Sequence, residues 1–380
     1  MKNYKPILTG TVLGFTAMVL LAFVLAGCGS GSAMMTPTTP APKLQNASFA
    51  FVTNMNSNSI SGFEVDPTTG MLFPLAGSPF AAGSAPEFVA VDASSKFLYV
   101  ANSSSNDVSA FQIDRMTGAL TPVPGSRFPA GSMPKGVALA ASANLLFVAN
   151  EGSNDISAFK IDAMTGALTP VAGSPFGGVD SPFGLAVNPA GTFLYANDIN
   201  KNSVSGFLID AKTGALTHVP GFSFATGQTP IGLLADPNGK FLYVGDHMQD
   251  SVSAYSIDSA SGALTRISGS PATSASCSSS CHINPLRLAT HPTARFAYVA
   301  NVGGNSLTAF SMNNGTLSPI SAPVATGQHP FGVALDPKGN FVYVVNKVDN
   351  TISGFSVDAM TGAPTPLANS PFPAGGNGPV

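Results

Sequence analysis

Short apolar runs separated by turn residues fill the chain from residue 49 onward. Between residues 134 and 171 the sequence reads, in order, PKGVALA, LLFVAN, DISAFKID and GALTPV with turn residues between them. These four runs are rich in Val, Ile, Leu and Phe and have the length of β-strands. No window shows apolar residues at sustained helical spacing. The pattern predicts four short antiparallel strands in this unit and almost no helix.

The same unit recurs along the chain. Its third run contains a motif of Ser or Thr, then Gly or Ala, then Phe or Tyr, which begins at Ser61, Ser109, Ser157, Ser205, Ser253, Thr308 and Ser353. The spacings are 48, 48, 48, 48, 55 and 45 residues. A repeat of this length with four strands is typical of a propeller blade. We therefore predict an all-β fold, a seven-bladed β-propeller of four-stranded antiparallel blades over residues 49–380.

The innermost strand appears only six times, at 88–91, 136–139, 184–187, 231–235, 286–290 and 331–335. The first blade has no inner strand of its own. Gly378-Pro379-Val380 lies at the point in the repeat where a seventh inner strand would begin. We expect this tail to close the ring.

The N-terminal residues have the pattern of an export signal. Lys2 and Lys5 precede an apolar run from Pro6 to Leu25, which ends in Leu25-Ala26-Gly27-Cys28. This ending resembles the lipobox of bacterial lipoproteins. The resemblance implies that residues 1–27 are a cleaved signal peptide and that Cys28 carries lipid, which would hold the protein on a membrane without a spanning helix. The alternative is a plain membrane-anchor helix.

Residues 28–48 are predicted to be a flexible tether, because Gly, Ser, Thr and Pro dominate and little apolar surface is present to offset the entropy of ordering. Gly29 follows the cysteine, which by the same resemblance favours sorting to the outer membrane. The expected location is the bacterial cell envelope, with the propeller anchored to the membrane through Cys28.

Composition excludes some functions. The formal net charge is −3 and only 9% of residues are charged. Nucleic-acid binding calls for a clustered basic face, so it is not expected. The chain also has no GxSxG, HExxH, P-loop or GxGxxG motif.

The absence of tryptophan rules out the WD40 signature. Units such as HPFGVALDPKGNFVYVVNKVDNTISGFSVDAMTGAPTPL, residues 329–367, instead resemble the lactonase-type propellers. That group includes 6-phosphogluconolactonase-like and muconate-cyclase-like proteins and grades into YVTN-repeat surface proteins. The resemblance covers residues 49–380. It implies a channel site of His, Arg and Glu, often with His after a proline, whereas here His329 precedes Pro330.

A short polar side chain ends the second strand of every blade: Asn54, Asn102, Asn150, Asp198, Asp246, Asn301 and Asn346. A single site on a ring needs no seven copies. We interpret these residues as turn chemistry rather than metal ligands.

Residues that depart from the blade consensus are better candidates for a site. In a propeller, the loops into the inner strands and the turns after the second strands share one face around the channel. On that face the sequence places Glu87, Lys135, Arg287 and His329, and His247 follows a second strand there. These side chains are the predicted channel-mouth cluster.

The loop SASCSSSCHINPLR, residues 274–287, is the largest insertion and carries Cys277, Cys281 and His282. Outside the cytoplasm two cysteines four residues apart most simply form a disulfide. A haem attachment is one alternative, although its usual spelling, Cys-x-x-Cys-His, is one residue shorter. Zinc is another, with His291 or His329 as further ligands. No cofactor is predicted.

Two other histidines are expected at the surface. His291 replaces the aspartate of a far-face turn, and His218 falls on an outer strand.

Two functions remain open. The favoured hypothesis is a noncatalytic scaffold whose channel face binds a glycan, a protein or a small molecule. The alternative is a lactonase-like hydrolase or isomerase of a sugar-derived or aromatic lactone. In that case His329 or His282 would be the base, Arg287 or Lys135 would stabilise the oxyanion, and Glu87 would orient them. A phosphorylated gluconolactone is a cytosolic metabolite, so an exported protein is not expected to meet it.

Overall fold

The computed structural model describes residues 21–25, 48–273 and 283–380. These residues form seven antiparallel sheets, each built from consecutive strands. Neighbouring inner strands contact one another around a central axis. The predicted seven-bladed β-propeller is confirmed, and the sheets are numbered blades 1 to 7 in chain order.

The strands of each blade run from the channel to the rim. The inner strands of blades 1 to 7 are Leu21–Leu25, Pro86–Val91, Pro134–Ala140, Leu185–Val187, Pro230–Ala235, Pro285–Thr290 and Pro330–Leu335. The second strands are Ser48–Asn54, Phe97–Asn102, Leu145–Asn150, Phe193–Asp198, Phe241–Asp246, Phe296–Asn301 and Phe341–Asn346. The third strands are Ser59–Val65, Asp107–Ile113, Asp155–Ile161, Ser203–Ile209, Ser251–Ile257, Ser306–Asn313 and Thr351–Val357. The outer strands, mostly in two pieces, are Leu72–Pro74 with Phe80–Ala81, Leu120–Pro122 with Phe128–Pro129, Leu168–Pro170, Leu216–Ala225, Leu264–Arg266 with Ala272–Thr273, Thr316–Pro319 with Val324–Ala325, and Pro364–Pro366 with Phe372–Pro373.

The position of each strand explains its sequence. The second strand Phe97–Asn102 lies between two other strands and is covered on both faces by neighbouring blades, so all six residues are buried. A strand buried on both faces reads as a continuous apolar run. In the outer strand Leu120–Pro122 only the leucine is buried. The recurrent TGALTPV phrase is therefore the last turn and the outer strand of a blade, as predicted.

The turn into the outer strand depends on an aspartate and a glycine. In blade 3 the carboxylate of Asp162 accepts hydrogen bonds from the backbone N–H of Met164 at 2.9 Å and of Thr165 at 2.8 Å. These bonds hold the pKa of Asp162 below its usual value. Gly166 has φ of 75°, the left-handed conformation that glycine adopts without strain. Each blade needs this turn once, which is why the phrase is repeated.

Tyrosines on the second strands tie each of four blades to the next. Their hydroxyl groups donate to the carbonyl oxygen of the turn glycine in the following blade: Tyr99 to Gly166, Tyr195 to Gly262, Tyr298 to Gly362 and Tyr343 to Gly70. The Tyr343 bond, at 2.6 Å, joins blade 7 to blade 1. The ring is thus closed at its rim as well as at its axis.

The C-terminal tail closes the ring as predicted. Pro379 bridges Asn54 at the end of a second strand, the same pairing that Pro86 makes with Asn102 in blade 2. The N–H of Val380 donates to the carbonyl of Thr53 at 2.9 Å, and the Val380 side chain is buried.

Blade 1 nevertheless has an inner strand, so the prediction that it lacks one is wrong. Leu21–Leu25 pairs antiparallel with Ser48–Val52. The inner edge of a second strand presents unpaired N–H and C=O groups, and an extended segment from the apolar N-terminal run satisfies them. Residues 1–20 and 26–47, with Cys28, lie outside the described residues, and the signal peptide, the lipid anchor and the tether stay predictions.

Helical structure in the described part of the chain is limited to three-residue turns such as His247–Gln249. No helix found there has the length and apolar character needed to cross a membrane.

Candidate functional site

The segments that lead into the inner strands of blades 2 to 7, and the C-terminal tail, share one geometry that aims side chains at the channel. A residue with positive φ comes first, then a proline. The positive-φ residues are Ala85, Met133, Ser181, Thr229, Asn284, His329 and Gly378. In blades 2, 5, 6 and 7 the register shifts just after the proline, which turns the next two residues away from the regular pleat. Glu87, Lys135, Arg287 and His329 all occupy this region, so the structure brings these predicted residues to one end of the channel.

Arg287 lies at the centre of the channel. Its guanidinium carbon is 3.7 Å from the ring centroid of Phe88, 4.9 Å from that of Phe183 and 5.6 Å from that of Phe331. The side chain belongs to blade 6, and these rings come from blades 2, 4 and 7. Arg287 therefore spans the axis.

No hydrogen bond to the guanidinium is found among the described residues. Arg287 is 5% exposed, and its Nε, Nη1 and Nη2 atoms are buried without a partner. Burial lowers the pKa of Arg287 to about 9, against the opposing effect of the Glu87 carboxylate. The guanidinium is thus still positively charged at neutral pH. A buried cation whose donors are unused is unfavourable unless an anion satisfies it.

Glu87 and Lys135 form a buried ion pair beside Arg287. The Lys135 Nζ is 2.5 Å from Glu87 Oε1 and 3.5 Å from Glu151 Oε2. Both members of the closer pair are buried, so water screens them little. The Glu87 carboxylate is therefore held by Lys135 and does not accept a hydrogen bond from Arg287.

Lys347 and His329 are neighbours at the channel mouth. The backbone N–H of Lys347 donates to the carbonyl of His329 at 3.0 Å, and Lys347 Nζ lies 4.7 Å from the Phe331 ring centroid. Burial lowers the pKa of Lys347. Burial, and then the charge of Lys347, lower the pKa of His329. His329 is consequently neutral at pH 7 and able to accept a proton.

His247 faces the same region from blade 5. Burial is the main cause of its lowered pKa, and the proximity of His329 adds to the effect.

In the described part of the chain, the channel holds three cations, Arg287, Lys135 and Lys347, and two carboxylates, Glu87 and Glu151. Aromatic rings surround the central cation. Such a site favours a small ligand with a negative charge, or a reaction in which negative charge develops on an oxygen.

Cys277, Cys281 and His282 lie outside the described residues, so the predicted disulfide and the proposed role of His282 stay predictions. Within residues 48–273 and 283–380 no group of three or more His, Cys, Asp or Glu side chains is placed to hold a metal ion.

Of the two histidines expected at the surface, one is exposed and the other is buried. His218 lies on the outer strand of blade 4 and is exposed, as predicted. His291 is in the predicted turn, but it is buried, which corrects the expectation. Its ring packs edge-on against Phe296, with centroids 5.8 Å apart, and Nδ1 is 2.7 Å from Thr293 Oγ1. His291 replaces the turn aspartate of other blades, and its Nδ1 accepts from the backbone N–H of Thr293 at 3.2 Å, as Asp336 accepts from the N–H of Lys338.

The ring of Asn and Asp side chains at the second-strand ends has a structural role, as interpreted, although the asparagines bond side chains of the adjacent strand and the two aspartates also bond loop backbone. Asn102 Nδ2 donates to Ser109 Oγ at 2.9 Å and to Asp107 Oδ1 at 2.7 Å on the adjacent strand. These contacts fasten the second strand to the third within a blade.

Sequence reasoning missed Lys347, Glu151 and the aromatic wall. A signal for the first two was present, because they occupy the same repeat position as His247, directly after the second strand. Comparing that position across all seven blades would have found them. Phe88 was overlooked because an apolar residue in a strand normally belongs to the core.

Comparison with known proteins agrees with this architecture. The sequence profile of the family described as "Lactonase, 7-bladed beta-propeller" matches residues 43–127, 89–183 and 185–378. No curated protein gives a significant sequence match.

Solved structures share the fold at low sequence identity. A candidate 6-phosphogluconolactonase from Bacteroides fragilis superposes with a TM-score of 0.76 at 24% identity, covering 87% of this chain and 96% of its own. One from Bacteroides uniformis gives 0.74 at 22%, covering 88% and 98%. The periplasmic gluconolactonase PpgL of Pseudomonas aeruginosa gives 0.73 at 19%, covering 87% and 97%. These likenesses establish the fold, and the profile match establishes the family. The chain belongs to the lactonase family of seven-bladed β-propellers.

Proposed function

We propose that this protein is a lactonase that hydrolyses a small sugar-derived lactone in the central channel. Family membership and the candidate gluconolactonase relatives support an enzyme over a pure scaffold. The observation that carries the proposal is the buried Arg287 guanidinium, whose donors have no hydrogen-bond partner among the described residues.

Lactone opening creates a negative charge on oxygen, which would pair with the positive charge of Arg287. Water adds to the carbonyl carbon and a tetrahedral oxyanion forms. The ring C–O bond then breaks, and the leaving alkoxide takes a proton to give a hydroxy acid. Arg287 would bind the oxyanion, where a fixed donor in a water-poor site is most effective.

His329 is the proposed base. Its pKa is lowered by burial and by Lys347, so the neutral imidazole is present at pH 7 to take the proton of the attacking water. Lys135 Nζ lies 2.5 Å from Glu87 Oε1, and this ion pair would fix the positions of the charges around the reacting oxygen.

The test is hydrolysis of D-glucono-1,5-lactone and a panel of related lactones, corrected for spontaneous opening in buffer. Arg287→Met keeps the side-chain volume and should lower kcat by about 100-fold, as expected for loss of an oxyanion donor. His329→Gln should lower it by about 100-fold as well. His218→Gln, on the exposed outer strand, is the matched control and should leave the rate unchanged. Full activity in Arg287→Met would refute the site.

A noncatalytic binding role is the alternative that the sequence favoured. It is supported if the wild-type protein binds gluconate through Arg287 but accelerates the hydrolysis of no lactone. Isothermal titration calorimetry with the wild-type protein and Arg287→Met separates the two functions.

We further propose that the propeller works outside the cytoplasm, held to a membrane by lipid on Cys28. The Leu25-Ala26-Gly27-Cys28 sequence supports this location, and cleavage before Cys28 would remove the Leu21–Leu25 strand of blade 1 from the mature protein. The Cys28→Ser variant should lose incorporation of labelled fatty acid and leave the membrane fraction. Retention of label in that variant would contradict the anchor.

A further inference from the structure

The six inner strands outside blade 1 share a Pro-x-Gly start, with two exceptions. Glycine follows at Gly136, Gly184, Gly232 and Gly332. The exceptions are Phe88 in blade 2 and Arg287 in blade 6.

Glycine is favoured at this position because the strand backs closely onto its neighbour. A Cβ added to Gly136 would lie 2.5 Å from the carbonyl oxygen of Phe183, and one added to Gly232 would lie 2.5 Å from that of Leu286. Such distances are too short for real contacts, so a side chain here has to be accommodated.

The two exceptional side chains meet each other. Phe88 is 2% exposed and Arg287 5%, and the guanidinium carbon lies 3.7 Å from the ring centroid. Blades 2 and 6 are not adjacent, so the contact crosses the channel. The two departures from glycine therefore form one structural unit.

We propose that Phe88 is a positioning residue, which holds the guanidinium of Arg287 against its ring so that the in-plane N–H donors stay unpaired for a planar oxyanion such as a carboxylate. A ring that covers one face of a guanidinium supplies attraction without using its in-plane donors. Phe183 meets the Phe88 ring edge-on, with centroids 5.5 Å apart and an angle of 71° between the rings, which fixes the orientation of Phe88. Lys135 forms an ion pair with Glu87, a carboxylate that could otherwise pair with Arg287.

The link to catalysis rests on the proposed function, but the positioning itself does not. A ligand-free measurement therefore comes first. In protein labelled with ¹⁵N-arginine, the Arg287 Nε–H resonance is identified by its loss in Arg287→Met. Ring current from Phe88 should shift this resonance upfield. Phe88→Leu should reduce the shift strongly, because the remaining rings of Phe183 and Phe331 are more distant, and Phe88→Trp should preserve it. An unshifted resonance in the wild-type protein would overturn the proposal.

Binding of D-gluconate, measured by calorimetry, tests the consequence. Phe88→Leu, which keeps apolar volume, should weaken binding by about tenfold, the scale of a desolvated cation–π contact. Phe88→Trp should restore it. In the double variant Phe88→Leu/Arg287→Met binding should be no weaker than in Arg287→Met alone, because Phe88 acts through the arginine.

Phe331→Leu is the matched control, since this ring is 5.6 Å from the guanidinium carbon, and it should have a smaller effect than Phe88→Leu. Equal losses in the two variants, or additive losses in the double variant, would indicate mere packing. Absence of lactone turnover with these binding and spectroscopic results intact would refute the proposed function and leave the positioning role standing.

Discussion

At the second-strand ends five blades place a buried asparagine where blades 4 and 5 place aspartate. In blade 7 Asn346 Nδ2 donates to Ser353 Oγ at 2.9 Å. In blade 5 the Asp246 carboxylate instead accepts from Ser253 Oγ at 2.5 Å and from the N–H of Gly227 at 2.9 Å. Burial raises the pKa of Asp246 to about 6 in spite of these bonds. The same repeat position thus forms hydrogen bonds through a neutral amide in most blades, and carries an ionisable carboxyl group with a raised pKa in blade 5.

Asp246→Asn is expected to stabilise the protein at neutral pH. A raised folded-state pKa means that the carboxyl contribution to stability is complete below pH 3.8 and is lost as pH rises through 6. The advantage of the variant should therefore grow across that window and reach about 2 to 3 kcal/mol above it. Denaturant unfolding between pH 4 and 8 measures this effect.

Asp358→Asn is the control, because the pKa of Asp358 is lowered whereas that of Asp246 is raised. Backbone N–H groups lower the pKa of that exposed turn aspartate, so its removal should not stabilise the protein at neutral pH. An Asp246→Asn advantage that is constant with pH would show that titration is not its cause.

Neighbouring blades are joined by tyrosines on their second strands. Four of the five second-strand tyrosines donate to a turn glycine in the next blade, whereas the buried hydroxyl of Tyr243 has no partner in the described structure. The turn that follows it, in blade 6, is shortened to Asn314 and Gly315 between two paired strands. That shortening accounts for two of the three residues by which the spacing after Thr308, 45, falls below 48.

Removal of the hydroxyl should therefore have unequal effects. Tyr195→Phe leaves the carbonyl of Gly262 buried without its donor and should lower the free energy of unfolding by about 1 to 2 kcal/mol. Tyr243→Phe removes an unsatisfied polar atom and should be neutral or stabilising. Chemical denaturation of both variants is the measurement, and an equal loss in both would contradict the inter-blade role.

For the whole molecule, the decisive contact is the closure between blades 7 and 1. Ala50, Val52 and Phe63 pack against Phe341 and Tyr343 in one apolar cluster. The tail adds backbone bonds from Val380 to Thr53 and from Met55 to Gly378, each at 2.9 Å. A closed ring leaves no long sheet edge exposed to another chain.

Val380→Asp should destabilise the closed ring strongly, because it places an unpaired charge at a fully buried position. The expected loss is about 3 kcal/mol or more. Val348→Asp, at a position that is 55% exposed, is the control and should change the melting temperature little. A small effect of Val380→Asp would mean that the tail is not needed for closure.

Several site residues could be found from the sequence because they break a repeated pattern. Glu87, Lys135 and Arg287 replace apolar or glycine residues at equivalent positions, and the propeller topology assigns those positions to the channel. Their pairing was not predictable. Glu87 contacts Lys135 while Arg287 lies on Phe88, and which side chains meet depends on distances across the axis that only the closed ring sets.

The sequence by itself determined the seven blades, their strands other than the inner strand of blade 1, and the face that carries the unusual side chains, because strand periodicity and repeat length are local properties that recur in every unit. Only the tertiary structure decided that the Arg287 guanidinium is buried against Phe88 with no hydrogen-bond partner among the described residues, and that Lys347 joins the site. These facts arise from residues of distant blades that approach one another when the ring closes, and no single repeat contains that information.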